Sequence, residues 1–236
     1  MREAAPDAET QTISAGTGVK TTRRIPVRGL SRLTTYARGK EILILGPGSA
    51  GKTKFAQYLQ LGALDPEGQR EMTYCVTKSP AFVVNVGQEQ GLMLEVRRAV
   101  DTPGQVGPVQ HANLVADRQP HALIVMLDCS NAMSSTVRWL RLFSNSLDTV
   151  LRRRSYVARR LEAIVVLLNK RDKISSTDVA QLRQAVREVL LQQLSVALGV
   201  ERVRSIPILE CISARTKQGT ALIDEAIGHL AERLGR

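Results

Sequence analysis

No apolar run in this 236-residue sequence approaches the roughly 20 residues that a helix needs to cross a bilayer. The opening stretch MREAAPDAET lacks the apolar segment of a secretory signal, no glycine follows Met1 for myristoylation, and the closing Leu-Gly-Arg offers no cysteine for prenylation. These absences point to the cytosol and argue against stable lipid anchoring. Cysteine is scarce too. Cys75, Cys129 and Cys211 are odd in number and far apart, and the last two lie in or beside apolar runs, so they read as reduced core thiols. A metal site of the Cys/His type would need closer spacing.

What the sequence does have is enough apolar side chain to fold. It is 43% hydrophobic and 23% charged, which suits one α/β domain with an appendage and excludes a disordered chain. The formal charge of +11 is concentrated. Residues 1–40 carry eight Lys/Arg against three acids, residues 138–160 carry seven Arg against one acid, and the remainder balances. Two basic patches on a neutral domain suggest partners.

Residues 1–37, rich in Thr, Ser, Ala, Gly and Arg, read as a flexible basic extension, with 38–236 as the folded domain. Within the extension Leu30, Leu33 and Ala37 recur between arginines as in a short basic amphipathic helix. Beyond it, strand and helix signals alternate. Strands are predicted at 41–45, 81–86, 92–100, 122–127, 163–168 and 206–212, mostly as continuous apolar runs that suit central strands covered on both faces. Helices fit at 52–61, near 107–116, and at 136–161, 177–198 and 220–234. Ser175, three residues before Asp178, is a cap signature for the fourth of these. The link 87–91 is too short for a crossover and suits a hairpin, which makes one strand antiparallel. The predicted architecture is a three-layer α/β fold with a mostly parallel six-stranded sheet and helices on both faces.

The chemistry begins with GPGSAGKT, residues 46–53, between a strand and a helix. Gly46-x-x-x-x-Gly51-Lys52-Thr53 meets the phosphate-loop pattern in the context that pattern requires. The glycines let backbone N–H groups turn inward around a β-phosphate, Lys52 can reach β- and γ-oxygens, and the Thr53 hydroxyl can hold Mg²⁺. Three further segments follow strands: Asp101-Thr-Pro-Gly104-Gln105, Asn169-Lys170-Arg-Asp172 and Ser213-Ala214. Open α/β sheets bind ligands at strand C-terminal ends, so all three should converge on the crevice of the phosphate loop.

GPGSAGKT, DTPGQ, NKRD and SA, in this order, make residues 40–234 resemble a Ras-like small GTPase of the P-loop (TRAFAC-type) GTPase superfamily. That resemblance implies a small G-protein fold, GTP/GDP and Mg²⁺ as ligands, and slow hydrolysis to GDP and phosphate as a molecular switch. It implies that Asp172 accepts from guanine N1 and the 2-amino group, that Asn169 contacts the base edge, that the Lys170 stem stacks on the ring, and that the Ala214 N–H meets the 6-oxo group with Ser213 and Arg215 in the same loop. It adds Gly48, Ser49, Ala50 and Lys54 to the phosphate-binding set, puts Gly104 against the γ-phosphate, and gives Asp101 a place in the magnesium shell. Gln105 matches the residue that orients the attacking water and, with Lys52, forms the expected catalytic pair.

Pro103 departs from the Ras pattern toward that of translation-factor-like and Era-like GTPases. The magnesium-binding threonine of the first switch is expected at Thr77 by spacing, with Thr73 and Ser79 as alternatives. No intrinsic arginine finger is evident among Arg70, Arg97, Arg98 and Arg118, so an activating partner would supply one. The expected partners are a guanine nucleotide, effectors that read switch loops near 70–80 and 102–118, a GTPase-activating or exchange partner, and an anionic membrane surface touched peripherally; nucleic acid is not expected. The rival reading is a GTP-binding scaffold that never cycles and grips partners through its Arg-rich face.

Overall fold

The computed structural model describes residues 22–25, 34–35, 37–62, 75–86, 92–211 and 217–235, of which 22–25 and 217–219 are described by backbone alone. One sheet organises the chain. Its strands are β1 (Thr22–Ile25), β2 (Lys40–Leu45), β3 (Thr77–Lys78), β4 (Phe82–Val86), β5 (Leu92–Asp101), β6 (Ala122–Asp128), β7 (Ala163–Asn169) and β8 (Ile208–Glu210). They lie in the order β1-β4-β5-β2-β6-β7-β8, with β3 also paired to β5. Pairing is parallel from β5 through β2, β6 and β7 to β8. The β4–β5 pair is antiparallel, as expected of a hairpin.

Continuous apolar runs make the central strands two-sided. Leu43, Leu45, Leu123, Val125, Val166 and Leu168 face one helical layer, while Ile42, Ile44, Ile124, Met126, Val165 and Leu167 face the other. The first layer holds α2 (Pro108–Arg118), α3 (Met133–Arg153) and α5 (Ser176–Leu198), which contribute Val115, Phe143, Leu147, Val186 and Leu190. The second holds α1 (Lys52–Leu61) and α7 (Lys217–Leu234), which contribute Phe55, Leu59, Ile223, Ile227 and Leu230. Removing each of these side chains from water contributes about 1.5–3 kcal/mol, so the core rather than the loops fixes the frame.

The expected three-layer class and mostly parallel sheet are borne out, with two additions. β1, inside the stretch read as a flexible extension, pairs antiparallel with β4 and extends the sheet by one strand. β3 pairs antiparallel with β5. The expected single helix at 136–161 is corrected to two, α3 and α4 (Ser155–Arg160), because Arg154 leaves helical geometry at φ −125° and ψ 71°. A short α6 (Val200–Arg204) follows Gly199. The Ser175 cap forms as expected, its hydroxyl oxygen accepting from the Asp178 N–H at 3.1 Å. Cys129 and Cys211 are buried free thiols, and burial pushes both up to about 12, which keeps them unreactive. The amphipathic pattern through Leu30, Leu33 and Ala37 lies largely outside the described residues. Among the described residues no helix is long and apolar enough to cross a membrane.

Candidate functional site

β2, β5, β6 and β7 all end at one edge of the sheet, and the residues that follow them meet there. After β2 the chain turns through Gly46–Ala50 into α1, whose start has no side-chain cap and no acidic residue in its first turn. The first N–H groups of that helix therefore point outward without a side-chain acceptor, an arrangement that favours an anion. Gly51 stands at φ +94°, and a Cβ there would come within 2.5 Å of Asn169 Nδ2, so the position accepts only glycine. Gly48 and Ser49 are exposed at the tip, Ala50 is buried, and Lys54 is half-buried in the first turn of α1.

Lys52 is buried and folds back on the loop, donating to the Gly46 carbonyl at 3.0 Å and the Pro47 carbonyl at 2.8 Å. Burial pulls its ammonium down to about 8, against the opposing pull of Asp101. Desolvation is the cause, and an anionic ligand would relieve it. Thr53 Oγ1 donates to Asp101 Oδ2 at 2.7 Å, which joins the start of α1 to the end of β5. Thr77, on β3, is the register partner of Asp101, so the two occupy opposed positions on neighbouring strands. A hydroxyl and a carboxylate in contact are hard oxygen donors of the kind Mg²⁺ takes, and this donor pair fits that ion. Ser79 is committed elsewhere: its hydroxyl oxygen accepts from the Ala99 N–H at 2.9 Å. Thr73 lies outside the described residues.

After β5, Thr102 is buried and donates to the Ile44 carbonyl at 2.9 Å. His111 Nε2 lies 3.2 Å from that hydroxyl, and its ring stands edge-on to Trp139, with centroids 5.6 Å apart. Because the Thr102 proton is already given to Ile44, the hydroxyl accepts here and His111 carries its proton on Nε2. Burial and then the Lys52 charge push His111 down to about 4, with the Pro103 carbonyl acting the other way, so the ring is neutral at pH 7. Gly104 rests on the phosphate loop so closely that a Cβ would stand 2.4 Å from Gly48 Cα and 2.9 Å from Lys52 Nζ. Gln105, the next residue, is exposed.

After β7, Asn169 Nδ2 donates to the Ala50 carbonyl at 2.8 Å, tying the NKRD segment to the phosphate loop. Lys170 adopts the left-handed region at φ 62°, and its Nζ meets Asp128 Oδ2 at 2.6 Å. Asp128, at the end of β6, is buried and also accepts from the Ser130 N–H at 2.9 Å and the Ser130 hydroxyl at 2.6 Å. Burial would raise its carboxyl, but Lys170 and Ser130 outweigh it and hold it below the ordinary value. Asp172 is exposed in the 3₁₀ turn Arg171–Lys173. Ser213, Ala214 and Arg215 lie outside the described residues, although β8 leads toward them and the Cys211 carbonyl accepts from Arg171 N–H at 3.1 Å.

Asp128, Ser130, Thr102 and His111 were not singled out from sequence. The signal for Asp128 was present: it is an acid ending an apolar run, the position that also marks Asp101 and Asn169. His111 gave none, since a lone histidine in a helix has no spacing partner. Arg97 is excluded as an arginine finger because it pairs with Glu41 at 2.8 Å near the opposite edge of the sheet, and Arg70 lies outside the described residues.

No protein-family model matches the sequence, and no curated protein does. Among solved structures the chain is similar to translation elongation factor SelB from Methanococcus maripaludis, determined with the GTP analogue GppNHp, at 13% identity and a TM-score of 0.49 over 84% of this chain and 34% of that one. It is also similar to a bacterial selenocysteine-specific elongation factor EF-Sec, at 18% identity and a TM-score of 0.49 over 83% of this chain and 29% of that one. The chain spans about a third of the length of either protein. What it does must be read from the geometry of its own loops.

Proposed function

We propose that the chain is a P-loop GTPase: a switch that binds GTP with Mg²⁺ and slowly hydrolyses the terminal anhydride to GDP and phosphate. One observation carries this reading. The Asn169 bond to Ala50 holds the NKRD segment against the phosphate loop, which supports one ligand site for a base-reading loop and a phosphate grip. A chance phosphate-loop sequence would have no reason to be bonded to an Asn-Lys-x-Asp turn 119 residues away.

In this reading the α1 N-terminus and Lys52 hold the phosphates, and Gly46, Gly48, Ser49, Ala50, Gly51, Thr53 and Lys54 line them. Lys52 neutralises charge that builds on the β–γ bridging region as the anhydride breaks. Thr53, Asp101 and Thr77 would hold Mg²⁺, which would supply positive charge against the phosphate oxygens. Gln105 orients the water whose oxygen forms the new bond to the γ-phosphorus. The pair of electrons in the broken bond leaves with GDP, and the water's proton passes to phosphate. Asp172 accepts two hydrogen bonds from guanine that adenine cannot supply, the Lys170 stem covers the ring, and the Ala214 N–H would meet the 6-oxo group, with Ser213 and Arg215 belonging to the same segment.

GTP orders the segments near 70–80 and 102–118, and hydrolysis releases them for effectors to read. An activating or exchange partner sets the rate, and the setting is the cytosol, with the basic face free to touch an anionic membrane. Equilibrium competition against fluorescent GDP tests the ligand: GTP should displace it at least about 100-fold better than ATP, given two charge-assisted hydrogen bonds to Asp172 at about 1.5–3 kcal/mol each. Comparable displacement by ATP would overturn the guanine assignment. GTP binding with no phosphate release, even with cell extract added, would favour the non-cycling scaffold.

A further inference from the structure

The helices run back from the nucleotide edge, so the C-terminal ends of α3 and α5 collect with α4 and α6 at the opposite pole, where β2, β6 and β7 begin. The tethers are direct. Arg202, on α6, donates to the Ala158 carbonyl at 3.3 Å and to the Leu161 carbonyl, which fastens α6 to α4. Lys40, at the start of β2, pairs with Glu162 at 2.7 Å. Lys40, the last residue of the basic segment 1–40, therefore sits beside the end of the basic segment 138–160.

Most of the acids near these helices are engaged. Glu162 is taken by Lys40, Asp148 by Arg152 at 2.7 Å, and Glu201 by Arg204 at 2.9 Å, while Asp117 lies 3.9 Å from Arg154. Arg153 and Arg159 are exposed and make no ion pair with a described residue. Large apolar side chains are exposed on the helices that meet here: Tyr156 on α4 is 44% exposed, Val196 near the end of α5 77%, and Val200 on α6 44%. His121 immediately precedes β6 at this pole. Burial first, then the charges of Arg160 and Lys40, push it down to about 4 despite Glu162, and its Nδ1 accepts from the Glu41 N–H at 3.0 Å.

We propose that this pole, built from Arg152, Arg153, Arg159, Tyr156, Val196 and Val200, docks on an anionic phospholipid surface and leaves the phosphate loop facing away from it. Guanidinium groups match phosphate oxygens in pairs, and aliphatic side chains beside them gain by entering the headgroup boundary. Nucleic acid is the poorer fit, because single-stranded chains are held by stacking on aromatic platforms and the named surface offers only Tyr156. The proposal extends the membrane contact in the reading above but needs neither GTP nor hydrolysis.

Co-sedimentation of the full chain with phosphatidylcholine vesicles, with and without phosphatidylserine, tests it. Binding is expected only with phosphatidylserine and should weaken as salt is raised. The combined variant Arg152→Gln, Arg153→Gln, Arg159→Gln should bind those vesicles about 100-fold less tightly, at about 1 kcal/mol per cation near the surface. Val196→Ser with Val200→Ser should weaken binding too, whereas Leu61→Ser, an exposed apolar position on the other layer, should not. Binding of fluorescent GDP, measured on the same preparations, reports separately on the nucleotide site and on folding. Equal binding by the triple variant, no binding to anionic vesicles, or tighter Arg-dependent capture of single-stranded RNA would each overturn the proposal.

Discussion

At the scale of single residues, the phosphate-loop edge holds Lys52, His111 and Asp128 away from their ordinary states. Lys52 sheds its proton near pH 8 in the folded chain, whereas the unfolded chain keeps it up to 10.5. Between those values the unfolded state binds more protons, so this group's contribution to stability rises with pH; below 8 both states are charged and the folded one bears the full desolvation cost. Urea denaturation of the wild type minus that of Lys52→Met should therefore increase from pH 8 to 10.5. A flat difference would contradict the assigned burial. His111 behaves in the same direction at lower pH. Its folded value of about 4 lies below 6.5, so stability is complete above 6.5 and is lost as pH falls through 4, by on the order of 3 kcal/mol. His111→Asn should be less stable at pH 7 yet show a flatter acid limb. Asp172 is tested by its chemistry: Asp172→Ala should lose about 100-fold in GTP affinity and leave the weak binding of ATP unchanged, as competition titration would show.

At the scale of elements, what the sequence revealed depended on the range of the interaction responsible. β2, β6 and β7 are continuous apolar runs, and α1 and α5 are set by local signals, the phosphate-loop turn and the Ser175 cap; these were legible. The break at Arg154 was not, since Arg152, Arg153 and Arg154 look alike in sequence and only Arg154 reaches back to the Ala116 carbonyl, at 3.2 Å. β1 and β3 are too short for a periodicity and exist because β4 and β5 present free edges. In the site, GPGSAGKT and NKRD were legible as motifs, but Asp128 is joined to Lys170 across 42 residues, which no local pattern encodes. Asp128→Ala should free Lys170 and slacken the base loop. The expected result is weaker GDP binding through a faster dissociation rate, with association little changed, measured by stopped-flow fluorescence. Gly104→Ala belongs to the same scale. A methyl 2.4 Å from Gly48 Cα must push the 102–107 turn off the phosphate loop, so hydrolysis should fall while GDP affinity holds.

At the scale of the whole molecule, the parallel sheet sorts function by pole. Strand C-terminal ends gather Thr53, Asp101, Asn169 and Lys170, while helix C-terminal ends gather the arginines and exposed valines. Under the function and the docking proposed above, this separation would let a nucleotide state be read at one edge while the other is held against a surface. The central claim concerns the first edge, and single-turnover phosphate release from a GTP- and Mg²⁺-loaded chain tests it most directly, with Gln105→Leu measured alongside. Slow release by the wild type, falling at least about 10-fold in Gln105→Leu, is the expected result. Identical negligible release from both, with GTP bound, would contradict it.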